Sequence, residues 1–287
     1  MKLLENKHIL ITWAASGIWE AIAKTCAMHW AKICITDIDE ENLLKVEKEI
    51  RDTYDVECHA HVADLRDETS VQNMLQEVEN HGQLDVVINN AWVMVWASPL
   101  QEFQTKDFKD LIDNNIYSVF HVTKHVLPYL HKNLNGWLVL FTGSVSWIIG
   151  QPSEAPYAGT KAFIHAFAKT VAIEQAAFWI RANVVAPWPI DTQMTRPEHG
   201  TLDDESAEMI VNSNPMGRRG SPWEIAETFA FLCSDWARYI NAEVITVDGW
   251  MVNGIWPVGK QASEKLSQKP ELPINLSNQH DWWNAES

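Results

Sequence analysis

"HILITWAASGIWEAIAKTCAMHWAKICITDID" spans positions 8–39. Its first five residues form a short apolar run. A turn follows, then a helical period near 17–29, then a second apolar run at 32–37 closed by Asp37. Strand, turn, helix, strand and terminal acid is the layout of a βαβ unit that binds a dinucleotide. In such a unit the first turn needs glycines, so that the backbone can bend tightly and approach the pyrophosphate. Gly17 is present, but Trp13 and Trp19 stand where two other glycines are expected.

The same alternation continues along the chain. Apolar strands are predicted at 56–64, 84–91, 137–144, 180–187 and 243–249. Helices are predicted at 40–54, 68–81, 105–131, from Tyr157 onward, and at 222–234. Seven apolar strands separated by helices predict a parallel sheet covered on both faces. Residues 1–254 read as one domain. The polar 190–220 segment suits a mobile cover over a site, and 255–287 read as a tail of the composition that stays disordered.

Net charge is -16 and the pI lies near 5.0, which argues against nucleic acid and anionic membrane as partners. No run approaches the roughly 20 apolar residues of a membrane span. The four cysteines, Cys26, Cys34, Cys58 and Cys233, form no CxxC pair and read as reduced, in a cytoplasmic protein. His59 and His61 share a strand face but lack carboxylate or thiolate partners at ligand spacing, so no metal site is expected.

Tyr157 and Lys161 lie four apart on a predicted helix and so share a face. An ammonium beside a phenol favours the phenolate, which could then exchange a proton with a substrate hydroxyl or carbonyl. Ser144 lies 13 residues earlier at a strand end, where its hydroxyl could hold the same oxygen. An isolated YxxxK is usually only an amphipathic helix. Here it has company: "TWAASGIW" (12–19), "NNAW" (89–92), "DNNIYSVF" (113–120), "SVSW" (144–147) with "YAGTK" (157–161), "RANVVAPWPIDT" (181–192) and "VDGW" (247–250), in that order.

On these motifs the chain resembles the short-chain dehydrogenase/reductase family over roughly residues 5–254. The resemblance implies a single Rossmann-like, doubly wound α/β domain with a seven-stranded parallel sheet. It implies Tyr157 as general acid/base, Lys161 lowering its pKa and binding the nicotinamide ribose, Ser144 orienting the substrate, and Asn115 supporting a proton relay. Around the cofactor it implies Thr12, Ser16, Gly17 and Ile18 in the loop, Asp64 at the adenine, Asn90 and Pro187 beside the dinucleotide, and Ile190 and Thr192 near the nicotinamide amide. Asp37 can accept from a ribose 2′-hydroxyl and would repel a 2′-phosphate, so NAD is preferred over NADP. The implied partner is a small-molecule secondary alcohol or ketone contacting the 94–97, 147–155 and 190–220 segments, in a homo-dimer or homo-tetramer.

The chain departs from the family pattern in one respect. It has 15 Trp and only 12 Gly, about 4 % against a usual ~7 %. Trp13, Trp19, Trp92, Trp188 and Trp250 occupy family glycine positions, and Trp30, Trp137, Trp147 and Trp179 are assigned to the same class. Counting these nine as glycine would raise 12 to 21, the ordinary proportion. Trp96, Trp223, Trp236, Trp256, Trp282 and Trp283 stay unassigned. The nine are scattered rather than periodic, which argues against an aromatic ligand surface. Indoles at 13 and 19 are expected to fill phosphate space, with Trp92 crowding the adenosine and Trp188 the nicotinamide. Overpacking costs about 1–3 kcal/mol per site, so poor folding and weak cofactor binding are expected. The alternatives to a working enzyme are a catalytically inactive or misfolded variant, and a non-enzymatic dinucleotide-binding member.

Overall fold

The computed structural model describes residues 2–90, 92–94, 98–133, 137–193, 211 and 214–253. Seven strands form: β1 (His8–Thr12), β2 (Lys32–Asp37), β3 (Cys58–Val62), β4 (Val86–Asn89), β5 (Trp137–Thr142), β6 (Ile180–Pro187) and β7 (Val244–Val247). They make one sheet in the order β3-β2-β1-β4-β5-β6-β7, with every pair parallel. β3, β4, β5 and β7 are shorter than their apolar runs because pairing, not hydropathy, sets their ends.

Among the described residues, seven α-helices cover the sheet: α1 (Gly17–Met28), α2 (Glu40–Thr53), α3 (Glu68–Glu79), α4 (Thr105–Ile112), α5 (Ser118–His131), α6 (Ala155–Gln175) and α7 (Pro222–Cys233). Strand alternation sorts the core into two faces. Ile9, Ile11, Ile33 and Ile35 pack with Ile22 and Cys26 of α1, Leu43 and Val46 of α2 and Phe229 of α7. Leu10, Val87, Val139 and Phe141 pack with Val71 of α3, Val122 of α5 and Ile164 of α6. This is the doubly wound arrangement. The helix predicted over 105–131 is interrupted: one π-helical turn (Asp113–Tyr117) separates α4 from α5 and carries Asn115. No helix among the described residues is long and apolar enough to cross a membrane. The 255–287 tail, most of 190–220, and Trp96, Trp256, Trp282 and Trp283 lie outside the described residues.

Sheet order places a switch point between β1 and β4, whose following helices pass to opposite faces. Ligand crevices in such sheets open at the carboxyl ends of the strands at that point. Thr12, Asn90, Thr142 and Pro187 all lie along this edge.

Candidate active site

The edge is knit by polar side chains. Asn90 N donates to Thr12 Oγ1 at 2.9 Å, Thr12 Oγ1 donates to the Ile88 carbonyl at 3.3 Å, and Thr142 Oγ1 donates to Asn90 Oδ1. Lys161, fully buried on α6, donates from Nζ to the Thr142 carbonyl at 3.0 Å. Asn115 reaches in from the π turn. It accepts from Val93 N at 2.7 Å, donates to the Val93 carbonyl at 2.9 Å, and donates to Thr160 Oγ1 at 3.1 Å. Thr160 in turn donates to the Tyr157 carbonyl. Asn115 therefore clamps the segment after β4 onto α6, next to Tyr157.

Ser144 lies beyond the end of β5 and caps a short 3-10 turn, accepting from Ser146 N at 3.2 Å. Gly143 beside it is required by close approach: a Cβ there would meet His165 Nε2 at 2.4 Å. The Ser144 hydroxyl sits close enough to the Tyr157 phenol to favour its ionised form. The structure thus brings Ser144, Tyr157, Lys161 and Asn115 together, all buried.

Their electrostatics differ from the expectation for Tyr157. Burial holds its phenol well above the ordinary value, and the nearby Glu154 carboxylate pushes the same way, against the Ser144 hydroxyl. Burial also lowers the Lys161 ammonium to about 7. The residue expected to charge its neighbour is itself half neutral near pH 7, because a closed, dry pocket penalises both charges.

This has a measurable consequence. The unfolded lysine holds its proton up to about 10.5 while the folded one loses it near 7, so between these values the unfolded chain binds more protons. Stability therefore rises with pH across that window. Urea unfolding at pH 7 and pH 9 should show a rise of about 2 kcal/mol in the native chain relative to Lys161→Met. An equal pH dependence in both proteins would contradict the burial of Lys161.

The cofactor-side residues are more dispersed. Asp37 is buried at the end of β2, where Oδ2 accepts from Ala15 N at 3.1 Å and Oδ1 from Asp39 N at 3.0 Å. Its carboxylate is thus tied to the turn after β1. Asp64 is held by Arg66 in a two-pronged pair at 2.8 and 2.7 Å, which keeps its carboxyl below the usual range. Ser16 precedes α1 and is exposed without capping it, Gly17 has φ +64°, and Ile18 is buried. Pro187 ends β6, while Ile190 forms a bridge to Gly220, with the half-buried Thr192 two residues on.

The nine tryptophans divide by geometry. Trp13, Trp30, Trp179 and Trp250 have φ of 56°, 72°, 60° and 79°, the left-handed region that favours glycine. Trp30 follows α1 at the position where helices commonly end in glycine. Its N–H donates to the Ala27 carbonyl at 2.9 Å, and Ala31 N donates to the Cys26 carbonyl at 3.0 Å. Trp92, Trp147 and Trp188 bury an indole N–H with no partner. Trp19 and Trp137 show neither fault; both are buried, and the Trp137 indole donates to the Asn133 carbonyl. Of the unassigned residues, Trp223 packs against the core within α7 and Trp236 is exposed.

Trp92, expected near the adenosine, lies instead against Tyr157 and Lys161. Its ring centroid is 5.5 Å from that of Tyr157 and 4.8 Å from Lys161 Nζ. On its other side it meets the Trp19 ring edge-on at 5.8 Å. An aromatic bridge therefore runs from the first turn of α1 to Tyr157. The histidines are structural: His61 pairs with Glu77 at 3.1 Å, and His59 stacks on His81. No cluster among the described residues could hold a metal ion.

Comparison with known proteins gives a consistent picture. Residues 14–251 match the family described as enoyl-(acyl carrier protein) reductase. The chain is 36 % identical over 250 residues to the 3-oxoacyl-[acyl-carrier-protein] reductase of Thermotoga maritima, covering 87 % of this chain and 99 % of that one. Among solved structures it resembles levodione reductase, with a TM-score of 0.84 at 30 % identity over 88 % of this chain and all of that one. It also resembles the 3-ketoacyl-(acyl-carrier-protein) reductase of Brucella melitensis complexed with NADH, with a TM-score of 0.79 at 29 % identity over 86 % and 99 % of the two chains.

Proposed function

The chain belongs to the short-chain dehydrogenase/reductase family, an oxidoreductase family, and from that premise we propose that it keeps the proton-handling half of a secondary alcohol/ketone oxidoreductase while its dinucleotide half is closed. The observation that carries this reading is the bridge of Trp19 and Trp92 laid against Tyr157 and Lys161. Lys161 is the residue that would face the nicotinamide ribose, and an indole lies over it. The residues present do not fit a dinucleotide. Trp13 sits in the turn, Trp19 on the first turn of α1 and Trp92 over Lys161, while the Trp188 indole N–H, just past β6, is buried without a partner.

What the intact side chains do follows from their geometry. Tyr157 offers a hydroxyl to a substrate oxygen, Ser144 offers a second hydrogen bond to the same atom, and Asn115 holds the backbone beside them. The direct test is an NAD titration by calorimetry of the chain and of a variant with Trp13, Trp19, Trp92 and Trp188 all changed to glycine. Circular dichroism on the same samples reports whether each is folded. Saturable NAD binding by the unaltered folded chain would overturn the closed-site reading.

Asp37 sets the expected cofactor choice of that variant. Its buried carboxylate borders the turn and would repel a 2′-phosphate. The glycine-restored chain should prefer NAD over NADP by about tenfold or more, ~1.4 kcal/mol. Asp37→Asn, which removes the charge but keeps an acceptor, should narrow the preference to within a few fold. NADP binding tighter than NAD before that change would refute the role of Asp37. In keeping with the family, the domain is read as residues 1–254 and the protein as cytoplasmic and homo-oligomeric.

A further inference from the structure

Beyond Ser144 runs a line of polar side chains, Ser146 and Glu154, that the proposed chemistry does not use. Ser144 Oγ donates to Ser146 Oγ at 3.0 Å, and Ser146 Oγ donates to Glu154 Oε2 at 3.2 Å. Ser146 also accepts weakly from Gln151 Nε2 at 3.4 Å. Two successive hydrogen bonds thus join the Ser144 hydroxyl, which lies beside the Tyr157 phenol, to the Glu154 carboxyl. All four of these side chains are buried, Glu154 at 9 % exposure and the others at 3–5 %.

A serine hydroxyl has one hydrogen, so each serine can donate in only one direction at a time. An ionised Glu154 can only accept. Ser146 must then donate to Glu154, and Ser144 to Ser146. In that state the Ser144 hydrogen points away from the substrate oxygen and from the Tyr157 phenol. A protonated Glu154 can donate to Ser146. The chain then reverses, and the Ser144 hydrogen turns toward Tyr157 and the substrate.

We infer that Glu154 is a positioning residue whose protonation sets the direction of the Ser146–Ser144 hydrogen-bond chain beside Tyr157. The change adds one proton from solvent to the carboxylate and rotates the hydroxyls; no bond between heavy atoms forms or breaks. The inference rests on the reading of Tyr157 and Ser144 as the groups that meet the substrate oxygen. Burial raises the Glu154 carboxyl above its ordinary value, opposed by Ser146, and its charge disfavours the Tyr157 phenolate. Among the described residues, burial and the Ser146 hydrogen bond are what act on Glu154. Further along α6, Lys161 is lowered to about 7 and His165 to about 3, so neither firmly supplies a compensating cation.

The test reads the carboxyl itself rather than turnover. In chain labelled with 13C at glutamate Cδ, the Glu154 signal is identified by its loss in Glu154→Gln, and its titration is followed by NMR. It should titrate above the ordinary carboxylate range. Ser144→Ala does not touch the carboxyl, yet it should move its pKa upward by about half a unit, a threefold change in the ionised ratio. The reason is that the charge-assisted direction loses more than the neutral one. Ordinary titration in the native chain would overturn the inference. So would a shift confined to Ser146→Ala, which would make Glu154 a purely local capping group. The same titrations in the glycine-restored chain repeat the test in a second background. Lack of turnover there would count against the proposed function without altering this result.

Discussion

Changing Trp13, Trp19, Trp92 and Trp188 together to glycine should convert a chain with no saturable NAD binding into one that binds it. The affinity gain should be at least ~100-fold, about 2.7 kcal/mol. The four differ in what they obstruct. Trp13 holds a left-handed backbone in the turn after β1, where glycine costs nothing. Trp19 fills the first turn of α1, and Trp92 lies over Lys161 and Tyr157. Trp188 buries its N–H without a partner just past β6. Single reversions should recover much less than the set. Trp19 and Trp92 touch, so removing one lets the other relax into the vacated space, and effects at contacting sites do not add. Calorimetry decides the matter: a folded fourfold variant that takes up no NAD would mean the indoles are not what closes the site.

The second large effect concerns stability and lies away from Tyr157. Trp30, Trp179 and Trp250 combine left-handed backbone with exposed indoles, at 39, 79 and 52 %. The fold has turned these side chains into solvent, which removes the packing cost but not the backbone cost of about 1–2 kcal/mol per residue. Glycine gives part of this back by making the unfolded chain more flexible, so the triple change to glycine should stabilise by roughly 2–4 kcal/mol. Against a typical total of about 5–15 kcal/mol that is a large fraction, readable as a rise in the urea midpoint at unchanged slope. NAD binding should not change. The two sets of glycines thus separate: one governs the site, the other the scaffold. An unchanged midpoint would show that these backbone positions carry no strain.

Much of this was legible along the chain. The strands at 8–12 and 32–37 announced themselves by apolar runs, and α2 and α3 by their period, because a half-buried element writes its buried side into local spacing. Tyr157 and Lys161 were found by an i, i+4 relation within one helix, and Asp37 by its place at the end of β2. The π turn was not found. Residues 105–131 keep a helical character throughout, and the local widening that presents Asn115 has no signature in spacing. Glu154 was missed for a related reason: an acid just before a helix is ordinarily a solvated cap, and only the fold buries it beside Ser146.

The sequence alone determined the order of strands and helices, the doubly wound class, the family, and the identity of the three side chains, Ser144, Asn115 and Lys161, now gathered around Tyr157. These depend on periodicity and on short motifs, which are properties of neighbouring residues. The tertiary structure decided which charges that site can hold, and which of nine tryptophans matter to it. Trp92 is 65 residues from Tyr157 along the chain yet packs on its ring, and the Lys161 ammonium is weakened by burial rather than by any residue beside it in sequence. Desolvation and packing are sums over everything that surrounds a group in space. They take values only once β1, β4, β5 and α6 have been brought to one edge of the sheet.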